Sequence, residues 1–305
     1  MTTLSISPRH RAPSRAYHRR RRWAGPAFIG PFMAVFALVF LAPIGYSIYL
    51  SLYRDQLIGG TSFVGLDNYQ RALEDAAFWS SVSRVGLFLA IQVPIMLFIA
   101  LLVALALDSG RLYGKDFCRI AIFLPYAVPA VVAALMWGFM YGPRFGLVGS
   151  INDTLGTSLP NPLSPDWVLA AIGNIVTWEF VGYNMLIFYS ALRVIPHSLY
   201  EAAELDGAGE WRVITAIKLP AIRGALVIAT MFSIIGSFQL FNEPSILRSL
   251  APNAINSDFT PNLLTYSLSF AGQQHNYAAT VAIVMGVLTM IVAYVVQLRG
   301  MRKER

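Results

Sequence analysis

The chain has 305 residues, of which 56% are hydrophobic and 13% charged, with a formal net charge of +7. A soluble domain of this size carries roughly a quarter charged residues, so the composition excludes an ordinary water-soluble fold and points to a bilayer as solvent. The single cysteine, Cys118, leaves no internal disulfide to form and suggests no metal cluster.

In chain order, residues 1–24 form a basic tail with Arg9, Arg11, Arg15 and the block Arg19 to Arg22. Its place directly before an apolar run makes it a topology determinant beside anionic headgroups rather than a nucleic-acid arm. Six runs then approach or exceed the roughly 20 apolar residues that a membrane helix needs. They fall near Pro26–Leu52, Val85–Leu107, Ile120–Tyr141, Trp167–Leu192, Gly224–Asn242 and Ala278–Leu298. Runs of this length exclude a barrel, whose strands alternate over short segments. The first run is too long for a signal peptide and lacks a small-x-small cleavage pattern, so it is expected to be retained.

The fold expected is therefore an all-α integral membrane protein of six transmembrane helices, spanning residues 25–305. Eighteen basic residues fall on the side of the two termini and five on the other or at its edge. That bias predicts an N-in, C-in orientation in a plasma membrane. Between the first two runs, "TSFVGLDNYQRALEDAAFW" holds turn signals and then Tyr69, Leu73, Ala77 and Phe78 at helical spacing, which predicts a helix lying in the interface. Pro94 lies in the second run, and Pro125 and Pro129 in the third, where each frees backbone carbonyls and favours a bend. Residues 142–166 and 244–276 read as irregular external connections.

The fourth run holds the one formally charged residue within these segments, Glu179. Insertion scales put the cost of such a carboxylate at about 2.5 kcal/mol or more, so it should face a cavity or a partner. Tyr183 lies one turn on, and Asn174 with Trp178 makes an i, i+4 pair on an adjoining face. At the outer end of the fifth run Gln239, Asn242 and, one residue beyond it, Glu243 fall at i, i+3 and i+4, a polar stripe. Amides and carboxylates hold sugar hydroxyls, and an aromatic face covers the apolar side of the ring. Polar contact between helices is the alternative use of the same residues.

Between these two runs stands the densest charged stretch of the chain, "EAAELDGAGEWRVITAIKLP", residues 201–220. Helix formers with an apolar face at Leu199, Ala202 and Ala203 lead to Gly207, which can adopt the left-handed conformation that ends a helix. "EWRVITAIKL" restarts a helix with Trp211, Ile214 and Ile217 on one side. A helix, a glycine turn and a second helix make a knob shaped for a partner's groove.

This stretch resembles the EAA motif of binding-protein-dependent ABC importer permeases, through Glu201-Ala202-Ala203, Asp206-Gly207-Ala208, Ile217 and Leu219-Pro220. Ile214 stands where many members have phenylalanine, and Arg223-Gly224 where proline is common; neither departure touches the centre of the motif. "FVGLDNY", "LPYAVPAVVAALMW" and "NMLIFYSALRVIPHSLYEAAELDGA" are similar to sugar permeases of the maltose and glycerol-phosphate type. The surroundings of Trp137 and "GLVGSIN" are similar to one member of the maltose-type pair more than to its companion.

The resemblance implies a type I ABC importer permease that pairs with a second, unlike permease, a dimer of ATP-binding subunits and an extracytoplasmic substrate-binding protein. The loop 196–220 would dock in a cleft of the ATPase, with Glu201, Ala202, Ala203, Asp206 and Gly207 as the coupling surface. The cargo implied is a carbohydrate, of disaccharide or oligosaccharide size. Substrate contacts would lie in the two helices flanking the loop, which gives a candidate sugar site of Trp178, Glu179, Tyr183, Gln239, Asn242 and Glu243.

No cofactor, metal or nucleic-acid partner is implied, and no catalytic residue. The nearest approach to a P-loop, "GRLYGKD", is one residue short and has Asp116 where a hydroxyl belongs. His10, His18, His197 and His275 show no ligand spacing. A permease for amino acids, polyamines or phosphate shares the glycine-centred loop and is the nearest alternative. An integral-membrane enzyme or a scaffold would leave that loop without a purpose.

Overall fold

The computed structural model describes residues 15–56 and 59–301. The expectations for the arginine-rich tail and for Arg302, Lys303 and Arg305 fall outside these residues or on positions described by their backbone alone. Among the described residues five helical spans are long and apolar enough to cross a membrane, and a sixth is bent.

The first span starts in helix α1 (Arg15–Phe36), passes through a π turn at Ala37–Leu41 and ends in α2 (Ala42–Ser51). Pro43 lacks the N–H that would reach back one turn, and a wide turn ahead of it is the usual adjustment. A two-stranded antiparallel hairpin follows, β1 (Tyr53–Gln56) with β2 (Gly60–Phe63), in the register Tyr53 opposite Phe63. It leads to α3 (Asp67–Glu74). Asn68 is buried there and donates to the carbonyls of Ser51 and Tyr53 at 2.9 and 2.8 Å, which ties α3 to the end of the first span.

The expected interfacial helix is thus shorter than its spacing suggested. Asp75 interrupts it by capping the next helix, accepting from the N–H groups of Ala77 and Phe78 at 2.9 and 3.4 Å. Leu73 points outward, and Ala77 and Phe78 belong to the following helix. A carboxylate placed to satisfy orphan N–H groups outweighs continued helical periodicity.

That following helix, α4 (Ala76–Asp108), absorbs Pro94 without a break. The third span does break. It consists of α5 (Lys115–Phe123), a 3₁₀ turn at Leu124–Ala127 and α6 (Ala130–Met140), with a bend of 98°. Pro129 causes it, because the residue before a proline is pushed out of the helical region and Val128 is accordingly extended. This is a change of direction, where the sequence itself predicts only a bend within one helix.

Beyond α7 (Leu147–Leu155), the fourth span is α8 (Val168–Leu192), uninterrupted and packed along α4. The loop segment then forms α9 (His197–Leu205), α10 (Glu210–Val213), a π turn at Ile214–Lys218 and α11 (Leu219–Ala221). The fifth span is interrupted as well. Helix α12 (Arg223–Phe238) stops, Phe241 takes φ −146° and ψ −49°, and α13 (Asn242–Leu247) resumes. After α14 (Pro261–Tyr266), α15 (His275–Met301) closes the bundle against α2 and α12.

One side of the core gathers Phe188, Leu192 and Ile222 with Ala100, Ala104 and Leu107 beneath the loop segment. The other gathers Tyr141, Val168, Ile172, Leu247 and Phe259. Gly182 lets the broken span lie directly on α8, since a Cβ there would collide with the carbonyl of Ile122 and come within 2.7 Å of the Phe123 Cα.

Candidate functional site

The loop at 196–220 is built by local hydrogen bonds. Helix α9 ends with Ala208 N–H donating to Ala203 C=O at 2.9 Å and Gly207 N–H to Glu204 C=O at 3.0 Å. That pair of bonds is the Schellman closure, and it requires the left-handed conformation that Gly207 adopts at φ +70°. Gly209 then caps α10 in extended conformation. Glu201, Ala202, Asp206 and Gly207 are exposed and Ala203 half-buried. Leu205 and Trp211 stand out at 90% and 77% exposure, an apolar surface presented away from the bundle. An open concavity of about 560 Å³ lies beside them, lined by Asp206, Gly207, Arg212 and Ile217 among others.

Two ion pairs tie this loop to the end of α4. Arg111 meets Glu210 at 2.8 Å in solvent, where such a pair contributes little. Lys218 donates from Nζ to Asp108 Oδ2 at 2.6 Å, with the two side chains only 12% and 10% exposed. The Tyr200 ring lies beside the ammonium, 5.6 Å from its centroid. Burial, and then the nearby charge of Asp108, raise the Tyr200 hydroxyl above its ordinary pKa.

A second region, farther along the bundle, is a cavity of about 380 Å³ where the two broken spans meet. Its walls come from four stretches. Helix α4 supplies Phe88, Gln92 and Met96, spaced four apart on one face, and α8 supplies Val176, Phe180, Tyr183 and Asn184. The bend of the third span contributes Tyr126 and Ala130, and the interruption of the fifth contributes Gln239 to Glu243. Irregular backbone in a membrane protein is tolerated where it is covered by protein or lines a cavity, and both interruptions border this one.

Of the six residues proposed from sequence, Tyr183, Gln239, Asn242 and Glu243 line the cavity and two do not. Trp178 lies off the α8 stripe that ends in Tyr183 and Asn184, and it packs edge-on against Trp137 at 5.9 Å in the adjoining core. Glu179 is 3% exposed and lies outside the lining, with its Oε2 buried and without a hydrogen-bond partner. Tyr183 stacks on Tyr126, centroids 4.8 Å apart at 18°, instead of bonding to Glu179. Asn174 turns to the Tyr141 hydroxyl at 2.8 Å rather than pairing with Trp178. The polar stripe of the fifth run also differs from expectation: Gln239 caps α12 and Asn242 opens α13, so the break, not a continuous helix, brings them together.

Sequence reasoning missed Gln92, Asn184 and Tyr126. Gln92 donates from Nε2 to Thr177 Oγ1 at 3.3 Å, and Asn184 from Nδ2 to the Phe180 carbonyl at 3.0 Å. Their amide oxygens have no hydrogen-bond partner. A lone glutamine in the second apolar run was the available signal. Among the described residues no three His, Cys, Asp or Glu side chains gather to hold a metal ion.

Six spans, two of them interrupted around a cavity, with a two-helix knob at one end, define the fold of an importer permease. A chain of a bacterial ABC transporter that imports the acidic polysaccharide alginate superposes with a TM-score of 0.82, covering 95% of this chain and 99% of that one at 19% identity. Residues 78–302 match the family model of the binding-protein-dependent transport system inner membrane component, and the chain belongs to that family. Among its relatives, the lactose transport system permease protein LacF of Rhizobium radiobacter is 32% identical, over 88% of this chain and 91% of that protein. The diacetylchitobiose uptake system permease protein NgcF of Streptomyces coelicolor is 30% identical, over 88% of this chain and 80% of that protein. The protein is thus a multi-pass membrane permease, a transport subunit.

Proposed function

We propose that this permease forms half of the translocation pathway of a carbohydrate importer, with the cavity between the broken spans as its sugar site. The observation that carries the reading is the lining itself. Amides from Gln92, Asn184, Gln239 and Asn242 and the carboxyl of Glu243 offer partners for hydroxyls, and the stacked Tyr126 and Tyr183 offer an aromatic surface. A volume of about 380 Å³ suits a small ligand, and an open cargo channel shared with a second permease would enlarge it. The relatives named for lactose and diacetylchitobiose support a disaccharide-sized cargo.

The helix–glycine–helix loop is the coupling element in this reading. Glu201, Ala202, Ala203, Asp206 and Gly207 dock with an ATP-binding subunit on the cytoplasmic side, an orientation supported by the excess of basic residues there. ATP-driven closure of two such subunits moves the loops and switches the cavity from inward-facing to outward-facing. A binding protein delivers the sugar from outside. Trp178 and Glu179 support the cavity wall rather than touch the sugar.

The test is ATP hydrolysis by the complex in lipid nanodiscs, assembled with its neighbouring permease, ATPase and binding protein and offered a panel of sugars. Stimulation by a disaccharide, lost when Gln92 and Tyr183 are replaced together, is the expected result. Stimulation only by an amino acid, a polyamine or phosphate overturns the carbohydrate assignment.

A further inference from the structure

The ion pair between Lys218 and Asp108 is out of keeping with its surroundings. Asp108 is the last residue of α4, where a carboxylate meets the negative end of the helix dipole and gains nothing from its own helix. Lys218 closes the π turn ahead of α12. Each would be more favourably placed in water, yet both are about nine-tenths buried, in contact at 2.6 Å, with Tyr200 of α9 against the ammonium. Removing two charges from water is costly, and such pairs do not as a rule raise stability over apolar residues of the same volume. A pair of this kind is better explained by what it holds in register.

What it joins is informative. Through the chain, the 196–220 loop connects to α8 at one end and to α12 at the other. It has no covalent link to α4 nearer than α8 itself, although α4 carries Phe88, Gln92 and Met96 on the cavity wall. The buried pair supplies a direct polar tie from the turn at Lys218 to the foot of α4, beside the apolar packing of α4 on α8 and α12. The exposed Arg111–Glu210 pair runs in parallel but is open to solvent.

We infer that Asp108 and Lys218, backed by Tyr200, form a latch that makes α4 move with the coupling loop, so that the α4, α8 and α12 walls of the cavity respond together to the ATPase. The inference rests on the coupling role of the loop proposed above. Asp108 and Lys218 are positioning residues: they touch neither cargo nor nucleotide. Without the latch the loop still docks and the ATPase still turns over, but α4 no longer follows.

The complex in proteoliposomes, in a Cys118→Ser background, tests this with Ala130→Cys as a reporter on the cavity wall. Its labelling by a membrane-impermeant maleimide added outside is measured with and without ATP and vanadate, alongside ATP hydrolysis. With the latch intact, trapping is expected to raise the labelling rate roughly tenfold, as the outward-open state becomes dominant. Asp108→Asn and Lys218→Met are each expected to keep hydrolysis within about twofold while most of that rise disappears, because one partner of a buried pair is left alone. Reversal of the pair, Asp108→Lys with Lys218→Asp, is expected to restore it, which assigns the loss to the pair itself, while the retained hydrolysis separates it from general unfolding.

A full rise in labelling in both single variants overturns the latch while leaving the coupling loop in place. Gly207→Val run in parallel separates the two readings. A full rise in that variant overturns the coupling role of the loop, and the latch falls with it.

Discussion

The 196–220 loop closes its turn with bonds that reach five residues or fewer, Ala208 to Ala203 and Gly207 to Glu204. The cavity depends on contacts such as Gln92 to Thr177, which join positions 85 apart. The loop also exposes its apolar residues, Leu205 and Trp211, whereas the cavity conceals its polar ones, Gln92 at 6% and Asn184 at 2% exposure. One region is finished by its own stretch of chain and leaves apolar side chains uncovered; the other exists only when four separate stretches are packed. A substitution in the loop should therefore act locally and through docking, and one in the cavity should act through packing.

The sharpest way to break that contrast is at Gly182, outside the cavity lining. A side chain there must displace the broken span from α8, since it meets the backbone of Ile122 and Phe123. Gly182→Leu is expected to destabilise the permease by about 1–3 kcal/mol or more and to abolish sugar-stimulated ATP hydrolysis. A shift in thermal unfolding of the purified complex checks it. An unchanged melting profile would mean that the bend does not rest on this close approach.

Next in size is Gly207→Val. A β-branched residue held at φ +70° costs about 1–2 kcal/mol, enough to unwind the Schellman turn and reduce the docked population roughly tenfold. Uptake should fall while the unfolding temperature barely moves, because the turn at Gly207 is exposed and buries no core. Gly207→Asn, which tolerates the left-handed region, should retain most uptake. If valine and asparagine behave alike, backbone conformation is not what the loop requires there.

A smaller effect is expected at Gln92. Gln92→Leu keeps the packing of α4 and removes one amide, so the apparent KM for sugar should rise about fivefold, in line with one hydrogen bond of about 1 kcal/mol. Basal ATP hydrolysis should stay the same. A KM at the wild-type value would remove Gln92 from the site. The smallest effect is at Arg111, whose pair with Glu210 is exposed. Arg111→Ala should leave uptake within error of wild type, in contrast to Lys218→Met, and an equal loss in the two would erase the distinction between the exposed and the buried tie.

The parts of this protein that were legible in the sequence are those that depend on neighbours in the chain. Span number follows from the length of apolar runs, because a bilayer imposes one length on every crossing helix. The loop follows from helix formers around Gly207, because a left-handed residue ends a helix wherever it occurs. Glu179, Gln239, Asn242 and Glu243 stood out because polar residues are rare in such runs.

Their partners could not be read in the same way. Gln239 and Asn242 meet at a break in the fifth span that a helical spacing rule takes for continuous helix. Trp178 seemed suited to a sugar ring, yet the 3.6-residue turn of α8 carries it to Trp137 while Tyr183 faces Tyr126. Class, span number and the helix–glycine–helix loop were thus determined by the sequence itself, through interactions a few residues long and the demands of the lipid. Which polar side chains share a cavity, which helix the loop grips through Lys218, and how closely the bent span approaches Gly182 were decided by tertiary packing, because each depends on the angle at which one helix meets another.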